Sequence, residues 1–309
     1  MPLLAKHAIV VSAALVCAAQ PQAVFRSDVE LVMIPCTVVD EQGSAVNNLT
    51  RADFRVFDNG IPRILEHLWD DRDAPVNLGV LIDESDSQQS LAAEHRKTVL
   101  ALLDRILRPG DRVFVLTVAE EIRLAADWSA SAAELRRRMV EGRGAMLGEP
   151  CPLRRSTAFE LRPVSACGAS PLWDAIYNAA ALRLSGIRGN KALLILTDGF
   201  DTGSRHAWRQ AVDEAQKAEA SVYAIAYRSG SDAGYAPDLQ RLAAEAGGTC
   251  FAPPEGDYTS ILTRLETDLR HRYVLGFRPE QLSGRTRHEV RVETNRPDLT
   301  VRARKEYFR

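Results

Sequence analysis

The chain predicts an α/β fold in which a doubly wound, mostly parallel six-stranded sheet is inserted into a small β-sandwich. Three observations lead there. From about Val76 to Arg272, short apolar runs alternate with amphipathic segments, the pattern of a sheet covered by helices on both faces. Before and after that stretch the pattern turns to alternating β segments with turn residues between them, and neither flank has enough strands for a core of its own. Finally, two of the central apolar runs end in carboxylates. Val76 to Ile82 leads into Asp83-Glu84-Ser85-Asp86-Ser87, and Lys191 to Leu196 leads into Thr197-Asp198-Gly199.

Taken in order, Met1 to Ala19 places Lys6 and His7 ahead of the apolar stretch Ala8 to Ala19, with small residues before Gln20. It reads as a cleaved signal peptide, residues 1–19, with an uncleaved anchor as the alternative. Cys17 does not suit a lipidation site, because Ala14-Leu15-Val16 lacks the small residue expected beside it. The protein is therefore expected to be exported, periplasmic or secreted. No later segment is long enough to span a bilayer.

The sandwich is assigned to 28–70 plus 273–309, with turns at Asp40-Glu41-Gln42-Gly43 and Asp58-Asn59-Gly60. Asp53-Phe54 is read as turn and core. The α/β domain is assigned to 74–272, with strands at 76–83, 112–119, 122–127, 191–198, 221–227 and 249–252. Helices are placed near 88–107, 131–141, 171–185, 205–219, 236–246 and 257–271. Leu91, Val99, Leu102, Leu103 and Ile106 recur at helical spacing before Pro109-Gly110 stops the helix. The strand at 122–127 is expected to be antiparallel, since Glu120-Glu121 leaves no room for a crossover.

The 309 residues, 46% hydrophobic with a formal net charge of −2, show no basic stripe, which argues against a nucleic-acid partner. Cys36, Cys151, Cys167 and Cys250 remain beyond the leader and allow three pairings. A Cys151–Cys167 bridge would staple the Arg-, Ser- and Pro-rich segment between them, contributing roughly 3 kcal/mol. Cys36 and Cys250, both in strand-like runs, read as buried thiols. No spacing suggests zinc. Glu120 and Glu121 read as solvated, and no G-x-S-x-G context marks a nucleophile, so no enzymatic activity is expected.

The two acidic strand ends form an oxygen-only cluster where an open α/β sheet presents ligands, and such donors favour Mg²⁺, Mn²⁺ or Ca²⁺. Taken alone, Asp83 and Ser87 are also ordinary turn and cap residues. Joined to the second loop, these residues resemble the von Willebrand factor type A (VWA) family, and more narrowly the bacterial VWFA-related proteins described from acidobacteria. That family carries a metal-ion-dependent adhesion site (MIDAS) made of a D-x-S-x-S loop, a Thr on a second loop and an Asp on a third. Asp83, Ser85 and Ser87 match the first loop and Asp198 the third. Gly168-Ala169-Ser170-Pro171-Leu172-Trp173-Asp174-Ala175 matches the second, with Ser170 in place of Thr. The segment from Leu49 to Gly60 resembles the narrower family's flank.

The resemblance implies a divalent cation, Mg²⁺ first with Mn²⁺ or Ca²⁺ as alternatives, bound by Asp83, Ser85, Ser87, Ser170 and Asp198. Asp83 and Asp198 are expected to act mainly through water. It implies a binding or adhesion-type function towards a protein ligand whose acidic side chain completes the metal's shell. The insert from Arg143 to Cys167, basic through Arg143, Arg154, Arg155 and Arg162, is expected to set specificity. The alternative, favoured by Ser170, is an assembly scaffold with a vestigial metal site and contacts made by the sandwich.

Overall fold

Val32–Val39 (β1), Phe54–Asp58 (β2), Ile61–Arg63 (β3) and Leu65–Asp70 (β4) open the regular structure. The α/β segment begins with Val76–Asp83 (β5), Ala92–Ile106 (α1), Arg112–Val118 (β6), Ile122–Ser129 (β7) and Ala132–Glu141 (α2). Three two-residue strands follow, Ala145–Met146 (β8), Leu153–Arg154 (β9) and Val164–Ser165 (β10). It continues with Leu172–Asn178 (α3), Asn190–Thr197 (β11), Trp208–Lys217 (α4), Ala220–Ala226 (β12), Pro237–Glu245 (α5), Cys250–Phe251 (β13) and Tyr258–Arg270 (α6). Tyr273–Phe277 (β14), Arg287–Thr294 (β15), Thr300–Ala303 (β16) and Glu306–Phe308 (β17) close the chain. This computed structural model describes residues 31–85, 88–141, 144–147, 153–154, 164–165, 170–227, 237–252, 258–279 and 286–309. The predicted leader, Ser87, Arg143, Arg155, Arg162, Cys151 and Cys167 lie outside the described residues.

The central sheet has seven strands in the order β13-β12-β11-β5-β6-β7-β8. β13, β12, β11, β5 and β6 are parallel, and β7 turns back antiparallel on β6. The expected count was six. The seventh strand, β8, is two residues long, too short to leave any periodicity in the sequence. It pairs Ala145 with Leu124, and a Cβ at the preceding Gly144 would lie 2.2 Å from the Leu124 carbonyl oxygen, so only glycine allows this approach. The helix expected at 171–185 is α-helical only to Asn178 and finishes as a π-type turn, Ala179–Leu184.

Side chains alternate between two cores. Leu81, Phe114, Leu193 and Ile195 face Ile176 of α3, Val212 of α4 and Leu239 of α5. Val80, Ile82, Val115 and Leu194 face Leu102 of α1, Leu135 of α2 and Leu265 of α6. All are essentially removed from water, and each large apolar side chain so buried is worth roughly 1.5–3 kcal/mol. A sheet covered on both faces leaves only its strand ends for ligands.

The flanking strands form two four-stranded antiparallel sheets, β16-β1-β14-β4 and β17-β15-β2-β3. Ile34, Cys36, Leu275 and Phe277 of the first share one core with Phe54, Val56, Val290 and Tyr307 of the second. The β2–β3 hairpin turns through Asn59 and Gly60, both at positive φ (51° and 79°), as a tight two-residue turn requires. Asp53 accepts from the Thr50 backbone N–H at 2.7 Å, and Phe54 packs edge-on against Tyr273. Strands entering and leaving the α/β segment run side by side, with the Asp71 N–H donating to the Arg272 carbonyl at 2.8 Å. Cys36 and Cys250 are free thiols, the first buried and the second half-buried, and burial pushes both up, to about 12 and about 11.

Candidate metal centre

Strand order puts the candidate site at a switch point. From β5 the chain moves outward one way through β6 and β7, then returns to lay β11 on the other side of β5 and continues to β12 and β13. Helices connecting these strands leave on opposite faces, so a crevice opens at the carboxyl ends of β5 and β11. Asp83 ends β5 and Asp198 follows the last residue of β11. Each is about 1% exposed.

Local hydrogen bonding explains how the chain keeps them there. The Glu84 N–H donates to the Val118 carbonyl at 2.7 Å, extending the ladder one residue beyond β5 before the backbone turns. Asp83 Oδ1 accepts from the Ser85 N–H at 2.9 Å, a side-chain turn of the kind Asp favours. Asp83 Oδ2 accepts from the Thr197 hydroxyl at 2.5 Å, and Thr197 Oγ1 itself accepts from the Gly199 N–H at 2.9 Å. Asp198 Oδ1 accepts from the Phe200 N–H at 3.1 Å, and Oδ2 from the Gln88 side-chain amide at 2.8 Å. The first and third loops are thus tied together twice, by Thr197 to Asp83 and by Gln88 to Asp198.

The second loop reaches the site through Ser170. Its carbonyl accepts from the Thr202 N–H at 3.0 Å, joining it to the loop that carries Asp198. A second set of bonds reinforces this junction: Asp201 accepts from the Trp173 N–H at 3.2 Å, and Asp174 from the Arg205 and His206 N–H groups at 3.1 and 2.9 Å. Ser170 is 3% exposed, and its hydroxyl has no hydrogen-bond partner among the described residues. A hydroxyl removed from water without a partner is costly, so its presence on a loop joined to the one carrying Asp198 asks for an explanation.

Burial holds the Asp83 carboxyl above the usual carboxylate range; the Ser85 and Thr197 hydrogen bonds pull it back, and the charge of Asp198 pushes it further up. That last effect places the two carboxylates within electrostatic reach of one another. Behind them His95 is fully buried, its Nδ1 3.2 Å from the Asp83 carbonyl oxygen, and burial depresses it to about 4.

The structure therefore brings Asp83, Ser85, Ser170 and Asp198 onto three adjoining loops, while Ser87 lies outside the described residues. Glu84 turns instead to Arg96, whose Nε donates to it at 3.0 Å. Sequence reading missed three participants: Thr197, Gln88 and His95. Thr197 was the polar residue closing an otherwise apolar strand, a usable signal. Gln88 and His95 carried none, since a glutamine after a turn and a histidine at a helix start are ordinary. Among the described residues no group of three or more His, Cys, Asp or Glu side chains gathers. The candidate donor set has two carboxylates, and its remaining donors are hydroxyls, suited to a hard cation rather than to a thiolate- or imidazole-bound one. On donor chemistry and the unpartnered Ser170 hydroxyl, the residues fit a divalent cation.

No protein-family model matches the chain, and no curated protein does. Among solved structures it is similar to proximal thread matrix protein 1 from the mussel byssus. A form of that protein with a zinc-occupied MIDAS motif aligns over 70% of this chain and 50% of that one, at 14% identity and a TM-score of 0.49. Another form aligns over 77% and 50%, at 15% identity and a TM-score of 0.46. The chain is also similar to a conserved hypothetical protein, BatB, from Bacteroides thetaiotaomicron, with 62% and 97% covered, 14% identity and a TM-score of 0.40. This chain spans about half the length of the mussel chains it matches. Among the described residues no helix is long and apolar enough to cross a membrane.

Proposed function

We propose that the protein is an exported, non-enzymatic binding module of the VWA type, which engages a protein ligand through a divalent cation. The observation that carries this is the meeting of Asp83 and Asp198 at the sheet's switch point, with Ser170 on an adjoining loop and its buried hydroxyl without a partner among the described residues. Asp83, Ser85, Ser170 and Asp198 would hold the cation, with Ser87 as the further donor expected from the loop pattern. A bound cation supplies Lewis acidity towards a carboxylate offered by the ligand. The chain's own part is to keep two carboxylates together in a water-poor crevice. Phe200, two residues beyond Asp198 and 48% exposed, offers apolar contact for a ligand near that carboxylate.

A binding role rather than a catalytic one is supported by how the nearby polar groups are spent. His206 and Asp174 pair at 2.7 Å, but the neighbouring Ser204 gives its hydroxyl to Asp201 at 2.5 Å, so that histidine activates no serine there. The second reading, a scaffold whose metal site is vestigial, is favoured by one observation: both carboxylates have partners within the fold, Thr197 donating to Asp83 and Gln88 to Asp198.

Thermal unfolding in EDTA, and then in millimolar Mg²⁺, Mn²⁺ or Ca²⁺, separates the two. Binding to the folded state raises the midpoint by an amount set by RT ln(1 + [L]/Kd). The binding reading expects a rise in the wild type that Asp83→Ala abolishes. No rise in any cation would leave the scaffold reading.

A further inference from the structure

Gln88 is fully buried and lies one residue past the D-x-S-x-S pattern. Its backbone N–H donates to the Ser85 carbonyl at 2.8 Å, and its side-chain Nε2 donates to Asp198 Oδ2 at 2.8 Å. The amide is therefore held from both ends, across the first and third loops. With Nε2 turned to a carboxylate, the carbonyl Oε1 is left buried without a hydrogen-bond partner among the described residues. Charge fixes that orientation, because flipping the amide would set its oxygen against the Asp198 carboxylate. Leucine or methionine would fill the same space but take this donor from the buried Asp198 carboxylate, which accounts for the amide nitrogen and leaves the carbonyl oxygen without a use inside the fold. A carbonyl left unspent on an amide that holds the Asp198 carboxylate, itself within electrostatic reach of Asp83, calls for an electron-poor partner.

We infer that Gln88 is an additional oxygen donor to the cation of the site described above, and that it sets the choice of ion in favour of Ca²⁺ over Mg²⁺. The inference rests on the cation-binding reading. Its chemical basis is donor number. Ca²⁺ takes six to eight oxygens in flexible geometry and accepts Gln carbonyls readily, whereas Mg²⁺ demands a near-ideal octahedron and keeps several waters. A neutral carbonyl added to two carboxylates and their hydroxyls raises the donor count without adding charge, which suits the larger ion.

The test is thermal-midpoint titration of the purified protein with CaCl₂ and with MgCl₂, in wild type, Gln88→Leu and Gln88→Glu, with Asp83→Ala as control. Wild type is expected to respond to Ca²⁺ at about tenfold lower concentration than to Mg²⁺. Gln88→Leu should weaken Ca²⁺ about tenfold or more and Mg²⁺ less than about threefold, while Gln88→Glu, which keeps an oxygen, should hold Ca²⁺ near its wild-type value. Equal weakening of both ions by Gln88→Leu would reduce Gln88 to a strut between loops and overturn the inference; so would no weakening. If Gln88→Leu fails to fold, Gln88→Met makes the same comparison. A wild type that ignores every cation would defeat the binding reading itself, whereas a response lost in Asp83→Ala but intact in Gln88→Leu defeats only this inference.

Discussion

Acidification is expected to weaken the fold through His95, and the size of the effect follows from where the ring sits. His95 is fully buried behind the candidate site, packed on Tyr227 with ring centroids 4.0 Å apart. Its Nδ1 faces the Asp83 carbonyl, so that nitrogen carries the hydrogen and donates; Nε2 has no hydrogen-bond partner among the described residues. Burial lowers the imidazole from 6.5 to about 4, outweighing the Asp83 carbonyl bond and the charges of Glu94 and Asp198, all of which favour the protonated ring. An unfolded chain protonates His95 below about 6.5 and the folded one only near 4. Between those values the unfolded state binds more protons, so stability falls as pH falls, and the loss is complete below about 4. The whole interval is worth roughly 3 kcal/mol, most of it lost by about pH 4.5.

Asp83 acts in the opposite sense. Its carboxyl is raised, so the folded state takes up that proton first and gains stability as pH falls. Comparing wild type with His95→Phe isolates the histidine, because both chains keep Asp83. Phenylalanine preserves the packing on Tyr227 but leaves the Asp83 carbonyl unpaired, a pH-independent loss of about 1 kcal/mol. Urea denaturation in EDTA at about pH 7.5 and about pH 4.5 should show wild type the more stable at the higher pH, with the difference shifting by about 2–3 kcal/mol towards the variant at the lower. A difference that stays constant with pH would mean that His95 is not held neutral by burial, and the reasoning would fail.

Ser170→Ala should reverse sign with the cation. Without metal, removing a buried unpaired hydroxyl should be neutral or stabilising by up to about 1 kcal/mol, whereas the cation-dependent rise in midpoint should shrink; a loss of stability in EDTA would show that the hydroxyl has a partner. Asp111→Ala should be among the most damaging substitutions outside the site. Asp111 accepts from the Val76 and Arg108 N–H groups, each at 2.7 Å, and from the buried Arg270 guanidinium, so its removal strands two amides and a charge and should cost about 3–5 kcal/mol in urea denaturation. A loss under about 1 kcal/mol would mean that water reaches Arg270.

What the sequence discloses and what it hides divide along a physical line. The central strands are legible because they are buried on both faces, which leaves them almost wholly apolar and makes Asp83 and Asp198 conspicuous at their ends. β8 is not legible, because two edge residues bury nothing; its existence depends on the missing side chain of Gly144. Gln88 and His95 are hidden for a different reason. Their roles lie in bonds to Asp198, 110 positions away, and to a backbone carbonyl, and neither kind of partner leaves a pattern in neighbouring residues. Thr197 sits between these cases: a polar residue ending an apolar strand announces burial, but not that its hydroxyl is given to Asp83.

The same residues show why the site's economy points towards a ligand. The donors seen on the two carboxylates among the described residues include neutral groups: the Thr197 hydroxyl, the Gln88 amide, the Ser85 hydroxyl, and the backbone N–H groups of Ser85 and Phe200. Neutral donors can orient buried carboxylates but compensate their charge poorly, which is why burial still holds the Asp83 carboxyl high. A purely structural junction would serve better with an arginine, as the Asp111–Arg270 pair does at the opposite end of the same strand. Among the described residues around Asp83 and Asp198, the groups without a partner are the Ser170 hydroxyl, the Gln88 carbonyl and, behind Asp83, the His95 Nε2, and on the proposed reading the two oxygens are kept for a cation that comes from outside the chain.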